Sequence, residues 1–299
     1  MVFSPLFHCS QSPQQRCSTL HMQGIYPAIC STDCHNSGRN ILILFSTILI
    51  VLLLSVKINY FYSPIYLIII DDIMNIVASS SISVEAKRKL ENYGKLILFE
   101  TSGIVYEAVS KHPDIFLCPM EGKLIASANL PDTYRNLLLS KGIHLISGSK
   151  ALSHEYPQTA FYNVVVTDDF IIGNEKFMDK SIIDNAKGRT IIHVNQGYTR
   201  CNLIPLSNNR FITSDKGILK QLEKKNLKVL YVQPMGIILD GFSNGFFGGC
   251  CGVNGNRLFI NGNLNHFPQG KEVKNFVGNM EIIELNTAPL TDIGSILFL

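Results

Sequence analysis

Apolar and polar positions repeat along this chain in the order strand, helix, glycine, strand. The first copy predicts a strand at Asn75–Ser79, a helix at Val84–Tyr93, a stop at Gly94 and a strand at Lys95–Glu100. A second copy follows about 48 residues later, a spacing typical of repeat proteins. Its corresponding elements are Leu124–Ser127, Leu130–Lys141, Gly142 and Ile143–Gly148.

Three looser copies extend this pattern on a spacing of about 40 to 50 residues. Each one again predicts a strand, a helix and a strand. The sequence therefore predicts five related units. The elements of the last three are Phe170–Asn174, Glu175–Lys187 and Thr190–Val194, then Arg210–Ser214, Asp215–Lys225 and Lys228–Val232, then Arg257–Asn261, Lys271–Val277 and Met280–Leu285.

A short β-like run, here called the leading strand, precedes every unit except the first. Turn residues join each leading strand to the next strand, and Asn254–Gly255 is a strong hairpin signal. The unit is thus ββαβ, and the chain ends on an unpaired run, Ser295–Leu299. We expect this run to complete the first unit and close a ring, which removes exposed sheet edges. The other leading strands are Asp114–Cys118, Asn163–Thr167, Asn202–Leu206 and Gly249–Val253.

Residues 1–73 lack the repeat, so the predicted domain is 74–299. Met1–Asn40 is rich in Ser, Gln, Cys and His without periodicity, which predicts poor structure. The apolar run at 41–56 is shorter than the roughly 20 residues of a spanning helix, and it starts too late for a signal peptide. A membrane anchor at 41–56 is one hypothesis. Another is that 1–73 is an upstream extension absent from the working protein, because Met74 directly precedes the first repeated strand.

Composition narrows the class of protein. The net charge is +3 and spread along the chain, so nothing favours nucleic acid as a partner. No cysteine pair or Cys/His set has the spacing of a zinc site, and we predict no metal and no cofactor. We expect reduced thiols in a cytoplasmic protein, anchored to a membrane if 41–56 is expressed. The pattern does not specify an oligomeric state.

Polar and glycine-rich segments lead into the leading strands, and loops on a rigid scaffold often carry function. If the five units close, these segments meet at one axis and form a pocket. Ordinary structural roles remain open, because buried cysteines commonly act as small hydrophobes and Asp favours turns. The candidate site residues are His112, Asp114, Asn163, Tyr198, Cys201, Cys250, Cys251 and Asp292.

The predicted ring, with His112 and Asp114 at the start of a leading strand, resembles the pentein fold of guanidino-group-modifying enzymes. Further motifs resemble an uncharacterised bacterial domain family assigned to that fold. The resemblance covers about 74–299 and implies a five-bladed α/β propeller with a non-repeat N-terminal extension. The motifs are Gln196–Tyr198 with Ser214–Gly217, Gly241–Phe242 with Gly245–Gly249, and Pro289–Gly294.

The resemblance also implies a chemistry. In such enzymes a thiolate attacks the guanidinium carbon, a His exchanges protons and carboxylates hold the cation. The resemblance assigns the role of proton carrier to His112, and it assigns the roles of cation-binding carboxylates to Asp114 and Asp292. Where those enzymes place the nucleophile, this chain reads Asp292–Ile296, without cysteine. The nucleophile candidates are therefore Cys250 and Cys251 one unit earlier, and a ring could also present Cys201, one unit earlier again, to the same axis. Cys201, Asn163 and Tyr198 are candidates for binding the substrate.

Three function classes follow from these residues. The first is a cysteine-dependent hydrolase or transferase that acts on a small cationic guanidino or amidino compound. The second is a binding module of the same fold without turnover, and the third is a membrane-tethered interaction domain. A cysteine sulfur within hydrogen-bond or water-bridged distance of His112 would favour the first class.

Overall fold

The computed structural model describes residues 74–299. The predictions for 1–73, including the apolar run at 41–56, lie outside the described residues. Within residues 74–299, no helix combines the length and the hydrophobicity that crossing a membrane requires.

Short strands make up most of the regular structure, as the repeat predicts. Each central strand of a unit is almost entirely buried, which is typical of strands covered on both faces. In chain order the strands are β1 (Asn75–Ser79), β2 (Lys95–Phe99), β3 (Leu117–Met120), β4 (Lys123–Ala126), β5 (Leu145–Ser147), β6 (Val165–Val166), β7 (Phe170–Gly173), β8 (Thr190–His193), β9 (Leu203–Leu206), β10 (Arg210–Thr213), β11 (Lys228–Tyr231), β12 (Cys251–Asn254), β13 (Arg257–Ile260), β14 (Glu281–Glu284) and β15 (Leu297–Phe298).

Five helices connect central strands to last strands, and two short helical turns precede leading strands. Side-chain caps start several of them: Ser83 accepts from the N–H of Ala86, and Asp215 accepts from the N–H of Ile218. The helices are α1 (Val84–Glu91), α2 (Pro113–Phe116), α3 (Asp132–Ser140), α4 (Lys180–Asp184), α5 (Thr199–Asn202), α6 (Lys216–Glu223) and α7 (Gly270–Val277).

The strands form five three-stranded sheets of one topology. In each sheet the leading strand pairs antiparallel with the central strand, which pairs parallel with the last strand. Unit 1 is β15-β1-β2, and units 2 to 5 are β3-β4-β5, β6-β7-β8, β9-β10-β11 and β12-β13-β14. Mixed α/β structure and the ββαβ unit are therefore confirmed for the described residues.

The C-terminal strand belongs to the first unit, as predicted. Phe298 pairs with Ile76, and Leu297 pairs with Val77. Two backbone hydrogen bonds between Asn75 and Leu299 extend the pairing, with N···O distances of 3.1 and 2.8 Å. The first and last parts of the repeat region thus share one sheet.

Apolar side chains pack between neighbouring units. One core cluster contains residues of units 1, 2 and 3, including Phe99, Phe116 and Tyr162. Another joins unit 5 to unit 1 through Phe259, which is fully buried, and Ile76. The leading strands β3, β6, β9, β12 and β15 contact one another in that succession. The core therefore continues from unit to unit.

Some predicted boundaries differ from the structure. Asp114 was expected in a strand but lies in α2, because Pro113 at the first helical position presets a helical φ. The helix predicted at Glu175–Lys187 is only α4, since Asp179 caps it at Ser181 with a hydrogen bond of 2.8 Å. In units 3 and 5 the leading strands β6 and β12 begin at Val165 and Cys251, two residues later than predicted.

Candidate functional site

The structure brings together the segments that precede three of the leading strands, β3, β9 and β15. His112 is the residue before α2, and Asp114 lies within that turn. Cys201 lies in α5, which leads into β9. Asp292 lies in the segment that leads into β15. These four side chains are all buried, so the sequence positions that looked polar in isolation form one internal group.

His112 and Asp292 face each other. The His112 Nδ1 atom lies 3.9 Å from an Asp292 carboxylate oxygen, and it has no hydrogen-bond partner. Burial lowers the pKa of His112 to about 4, and the neighbouring Asp114 carboxylate opposes this only in part. The imidazole is therefore neutral near pH 7 and has a free nitrogen beside a carboxylate.

Asp292 is held by backbone donors. Its two oxygens accept hydrogen bonds from the N–H groups of Phe246 at 2.9 Å and Gly294 at 3.0 Å. Burial raises the pKa of Asp292 to about 6, although these two hydrogen bonds lower it. A positive charge next to this carboxyl group would offset the cost of its burial.

Asp114 joins a serine and a thiol. One of its oxygens accepts hydrogen bonds from Ser295 Oγ at 2.7 Å and from Cys201 Sγ at 3.1 Å. Its other oxygen has no partner. Burial raises the pKa of Asp114, against the lowering effects of His112 and of the Ser295 hydrogen bond. The carboxyl group thus has unused acceptor capacity.

Cys201 is the thiol of this group. Burial, together with the negative charges of Asp114 and Asp292, raises its pKa well above the ordinary value. Asn163 positions it: the Asn163 amide nitrogen donates to Cys201 Sγ at 3.1 Å, and its oxygen accepts from the Cys201 N–H at 3.1 Å. Asn163 therefore contacts the thiol directly, while the thiol keeps its proton on the side of Asp114.

A cavity of about 90 Å³ opens beside this group. Its wall includes polar side chains, among them Asp292, His112 and Cys201, and aromatic side chains. Tyr198, a predicted site residue, is in the wall, and its hydroxyl accepts a hydrogen bond from Tyr106 at 3.2 Å. The lining residues are Tyr106, Val109, His112, Tyr198, Cys201, Leu239, Phe242, Asn244, Phe246 and Asp292.

Cys250 and Cys251, the predicted nucleophile candidates, occupy a different environment. Both are fully buried in the core cluster that joins units 4 and 5, and neither lines the cavity. The Cys250 thiol points to the Phe246 carbonyl at 3.5 Å. Burial is the main cause that raises the pKa of both thiols. Cys201 is the cysteine that the structure places beside His112 and Asp114.

Two glycines allow the close approach of these segments. A Cβ atom at Gly249 would lie 1.9 Å from an Asp292 oxygen. At Gly294, where φ is +68°, a Cβ atom would lie 2.2 Å from the Cβ of His112. Only glycine has room and backbone freedom at Gly294, which explains the glycine-rich motifs of the sequence around the site.

Several residues of the site were not predicted. Ser295 was assigned to a strand, yet its hydroxyl bonds Asp114 and its φ is +66°. Tyr106 and Phe242 lie in long connections whose position in space no periodicity gives. Arg200 lies close enough to Asp114 and Cys251 for their charges to act on its pKa, which burial lowers. The dipeptide Gly294–Ser295 before the last strand was the one available signal for a turn there.

Three side chains of the group are of types that bind metal ions. One donor atom each from His112, Asp114 and Cys201 lies within 4.8 Å of the others. Such donors are found together in zinc sites. In the present arrangement the Cys201 thiol donates a hydrogen bond to Asp114, whereas His112 lies near both and its Nδ1 atom has no hydrogen-bond partner.

The chain was compared with known proteins and structures. A family model described as a family of unknown function, DUF6873, matches residues 77–297. No curated protein matches the sequence. The structure is similar to the DDAH of Pseudomonas aeruginosa complexed with citrulline, with 10% identity, a TM-score of 0.46, and coverage of 72% of this chain and 92% of that chain.

Two further solved structures are similar. One is SxtG, an amidinotransferase from Microseira wollei in the saxitoxin biosynthetic pathway, with 11% identity, a TM-score of 0.47, and coverage of 71% of this chain and 89% of that chain. The other is the agmatine deiminase of C. jejuni, with 10% identity, a TM-score of 0.41, and coverage of 70% and 75%.

Proposed function

We infer, from a chain that belongs to the DUF6873 family of unknown function, that the cavity binds a small cationic guanidino or amidino group and that Cys201 attacks its carbon. The observation that carries this proposal is the convergence of Cys201, His112 and Asp114 within 4.8 Å, beside a cavity whose wall contains Asp292. A nucleophile, a proton carrier and two carboxyl groups are the parts that this chemistry needs.

The charge of the ligand follows from the carboxyl groups. Asp114 and Asp292 are 0% and 4% exposed. Arg200 lies near Asp114, but no lysine or arginine side chain forms a salt bridge with either carboxyl group in the described part of the chain. A planar cation with several N–H donors would pair with such oxygens. The unused oxygen of Asp114 and the free nitrogen of His112 would then gain partners.

The ligand would also activate the thiol. In the free protein, burial and the carboxylate charges hold the pKa of Cys201 well above its ordinary value. A bound cation offsets the charges of Asp114 and Asp292, so the thiolate becomes easier to form. Cys201 would therefore react with cationic electrophiles in preference to neutral ones.

The reaction can be written with its protons. The Cys201 sulfur bonds to the amidinium carbon while the thiol proton passes to Asp114, and the C=N electron pair moves to nitrogen. The C–N bond to the leaving amine then breaks as that nitrogen takes a proton through His112. Water, or an acceptor amine in a transferase, adds to the S-linked carbon and gives a proton to Asp114 through His112. The C–S bond then breaks, its electron pair stays on sulfur, and the sulfur takes a proton from Asp114 to return the thiol.

A binding module without turnover is the second candidate function. It is favoured by the protonation states of the free site, because the thiol holds its proton and the pKa of His112 is about 4. An imidazole with so low a pKa is a weak base. In that case Cys201 would only hydrogen-bond to the ligand.

We also propose that residues 74–299 form one domain in which the five units close into a five-bladed α/β propeller. Support comes from β15, which pairs with β1, and from the core cluster that joins unit 5 to unit 1. In such a ring the site would lie at one end of the leading strands, near the axis.

Labelling with 2-chloroacetamidine, a cationic electrophile, tests the proposal. Its neutral counterpart 2-chloroacetamide serves as the matched probe, and mass spectrometry locates the modified residue. We expect Cys201 to be labelled at least about tenfold faster by the amidine, because only the cation is held by the carboxylates. Cys201→Ala should lose this labelling, whereas Cys118→Ala, which removes a buried thiol outside the cavity, should keep it.

Two outcomes would count against the enzyme. If methylguanidinium binds but Cys201 reacts equally slowly with both probes, the binding module is the better description. If methylguanidinium does not bind to the folded protein and the amidine is not preferred, a guanidino or amidino site is excluded. Equal labelling of Cys250 or Cys251 would move the nucleophile to the core cluster.

A further inference from the structure

The side chains that line the cavity limit which substituent the proposed cationic group can carry. Two of the lining side chains, the imidazole of His112 and the carboxyl group of Asp292, are here called the acidic floor of the cavity. No lysine or arginine is among the lining residues in the described part of the chain. Among these lining residues, a carboxylate on the ligand would meet the acidic side chain of Asp292 and no cationic side chain. Burying such an unpaired charge is costly.

Apart from Asn244 and Cys201, the remaining wall is aromatic and aliphatic. Tyr106 and Phe242 lie with ring centroids 6.1 Å apart, and Tyr156 packs on Tyr198 at 5.8 Å. The hydroxyl of Tyr106 bonds that of Tyr198, which also bonds Thr159. Because these hydroxyl groups already have partners, the tyrosines contribute their rings to the wall rather than free hydrogen-bond donors.

An exposed apolar strip continues from the mouth of the cavity. Phe242 lines the cavity and is still 53% exposed, and Ile238 on the same connection is 46% exposed. Clustered exposed apolar side chains are typical of ligand-binding grooves and interaction sites. Here the strip borders a cavity, so it offers contact area to a ligand that extends outward.

This connection is attached to the segment that carries the acidic floor. The Ile238 N–H donates to the Leu290 carbonyl at 2.8 Å, and the Asp292 N–H donates to the Ile238 carbonyl at 2.8 Å. The Gly245 N–H donates to the Ile237 carbonyl at 2.8 Å. The apolar wall is thus held at a fixed distance from the carboxylate that would bind the cationic head.

We propose that the ligand is an alkyl- or aryl-substituted guanidine or amidine that carries no carboxylate. Its cationic head lies against Asp292, and its apolar substituent lies against Tyr106, Leu239 and Phe242. This inference rests on the proposed function of the same cavity. It adds the class of substituent, which the acidic groups alone do not determine.

A matched ligand series tests the substituent separately from the head. Isothermal titration calorimetry on the full chain would compare methylguanidinium, phenylguanidine and 4-guanidinobenzoate. Methylguanidinium reports on the head alone, and the last two ligands differ only by a carboxylate. We expect phenylguanidine to bind at least about tenfold more tightly than 4-guanidinobenzoate, because the carboxylate would lie unpaired beside acidic groups.

Variants of the wall provide the second measurement. Phe242→Ala should weaken phenylguanidine several-fold and weaken methylguanidinium much less, because the apolar substituent contacts this side chain and the cationic head lies against Asp292. Met235→Ala, on the same connection but outside the cavity lining, is the matched control and should change neither. Phe242→Lys should reverse the preference in favour of 4-guanidinobenzoate, since it supplies the missing cation.

The two proposals fail in different ways. Equal or tighter binding of 4-guanidinobenzoate to the wild-type protein, with methylguanidinium still bound, overturns the inference about the substituent and leaves the cationic site intact. An unchanged affinity of phenylguanidine for Phe242→Ala also overturns it. Loss of binding for all three ligands would instead refute the proposed function.

Discussion

Burial controls the chemistry of the individual residues in this site. Asp292 and Asp114 hold carboxyl groups whose pKa values are raised, while burial lowers the pKa of His112 to about 4. Each group is thereby moved toward its neutral form. The proposed cationic ligand would reverse this for the carboxyl groups, so the protonation state of the site would depend on whether that ligand is bound.

The pH dependence of ligand binding tests this link. Burial raises the pKa of Asp292 to about 6, and a cation favours the ionised form, so binding below pH 6 must release a proton. The affinity for methylguanidinium should rise with pH up to about 6 and level off above it. His112 stays neutral across this range, and the raised pKa of Asp114 acts in the same direction. Calorimetry between pH 5 and pH 8 in buffers of different ionisation enthalpy measures both the affinity for methylguanidinium and the number of protons released on binding.

Asp292→Asn is the control for that titration. This variant should bind methylguanidinium more weakly and lose the part of the pH dependence that arises from position 292. An affinity that stays constant from pH 5 to pH 8 in the wild-type protein would contradict the link between Asp292 and the ligand.

Gly294 offers a prediction about the geometry of the site. In Gly294→Ala, the positive φ and the close approach to His112 act together, and we expect a loss of about 2–4 kcal/mol of stability. Gly142 has a similar φ of +76° but no atom within 4 Å of a Cβ, so Gly142→Ala should cost only about 1 kcal/mol. Urea denaturation of both variants gives the comparison, and equal losses would show that His112 moves away freely.

The sequence predicted the residue types of the site better than their arrangement. His112, Asp114 and Asp292 were candidates because polar residues precede leading strands, and these three residues do converge. Which thiol joins them could not be predicted, because Cys201, Cys250 and Cys251 have equivalent places in the repeat. Their side-chain directions depend on one residue of register, and that difference separates a core cysteine from one in the cavity.

At the scale of elements, the repeat predicted the central and last strands closely and the leading strands less well. β1, β10 and β13 lie within one residue of the predicted ranges, because their apolar runs are continuous and bounded by polar residues. The leading strands β3 and β9 directly follow the short helical turns α2 and α5, whose polar residues belong to the site. Local sequence could not show that Asp114 is helical, since a four-residue turn is too short for periodicity.

The C-terminal strand provides the prediction at this scale. Leu297 is 2% exposed and pairs with Val77, so Leu297→Ala should reduce stability by about 2–4 kcal/mol. Deleting Ser295–Leu299 should destabilise the domain further, because β1 loses its antiparallel partner. Thermal melting followed by circular dichroism measures both.

The same substitution at an exposed leucine is the control for this prediction. Leu139 on α3 is 52% exposed, so Leu139→Ala should change stability by no more than about 0.5 kcal/mol. If the truncated chain melts like the full chain, the pairing of β15 with β1 does not support the fold.

At the scale of the whole molecule, family membership was predictable and the extent of the working chain was not. The predicted resemblance to an uncharacterised domain family at 74–299 is confirmed by a family match at 77–297. The start of the predicted domain follows from the repeat, because the first repeated strand begins at Asn75. Residues before that strand have no counterpart in any unit, so the pattern contains no information about their role.

The last prediction concerns a fragment of residues 74–299. Its core clusters connect unit 1 to units 2, 3 and 5, so we expect it to stay in solution and to unfold in a single transition. Residues 74–299 contain no tryptophan and seven tyrosines, so tyrosine fluorescence and far-ultraviolet circular dichroism in urea are suitable probes, and their midpoints should coincide. If the fragment aggregates and residues 58–72 restore its solubility, the domain begins earlier than the repeat indicates. Two separate transitions would instead mean that the units do not share one cooperative core.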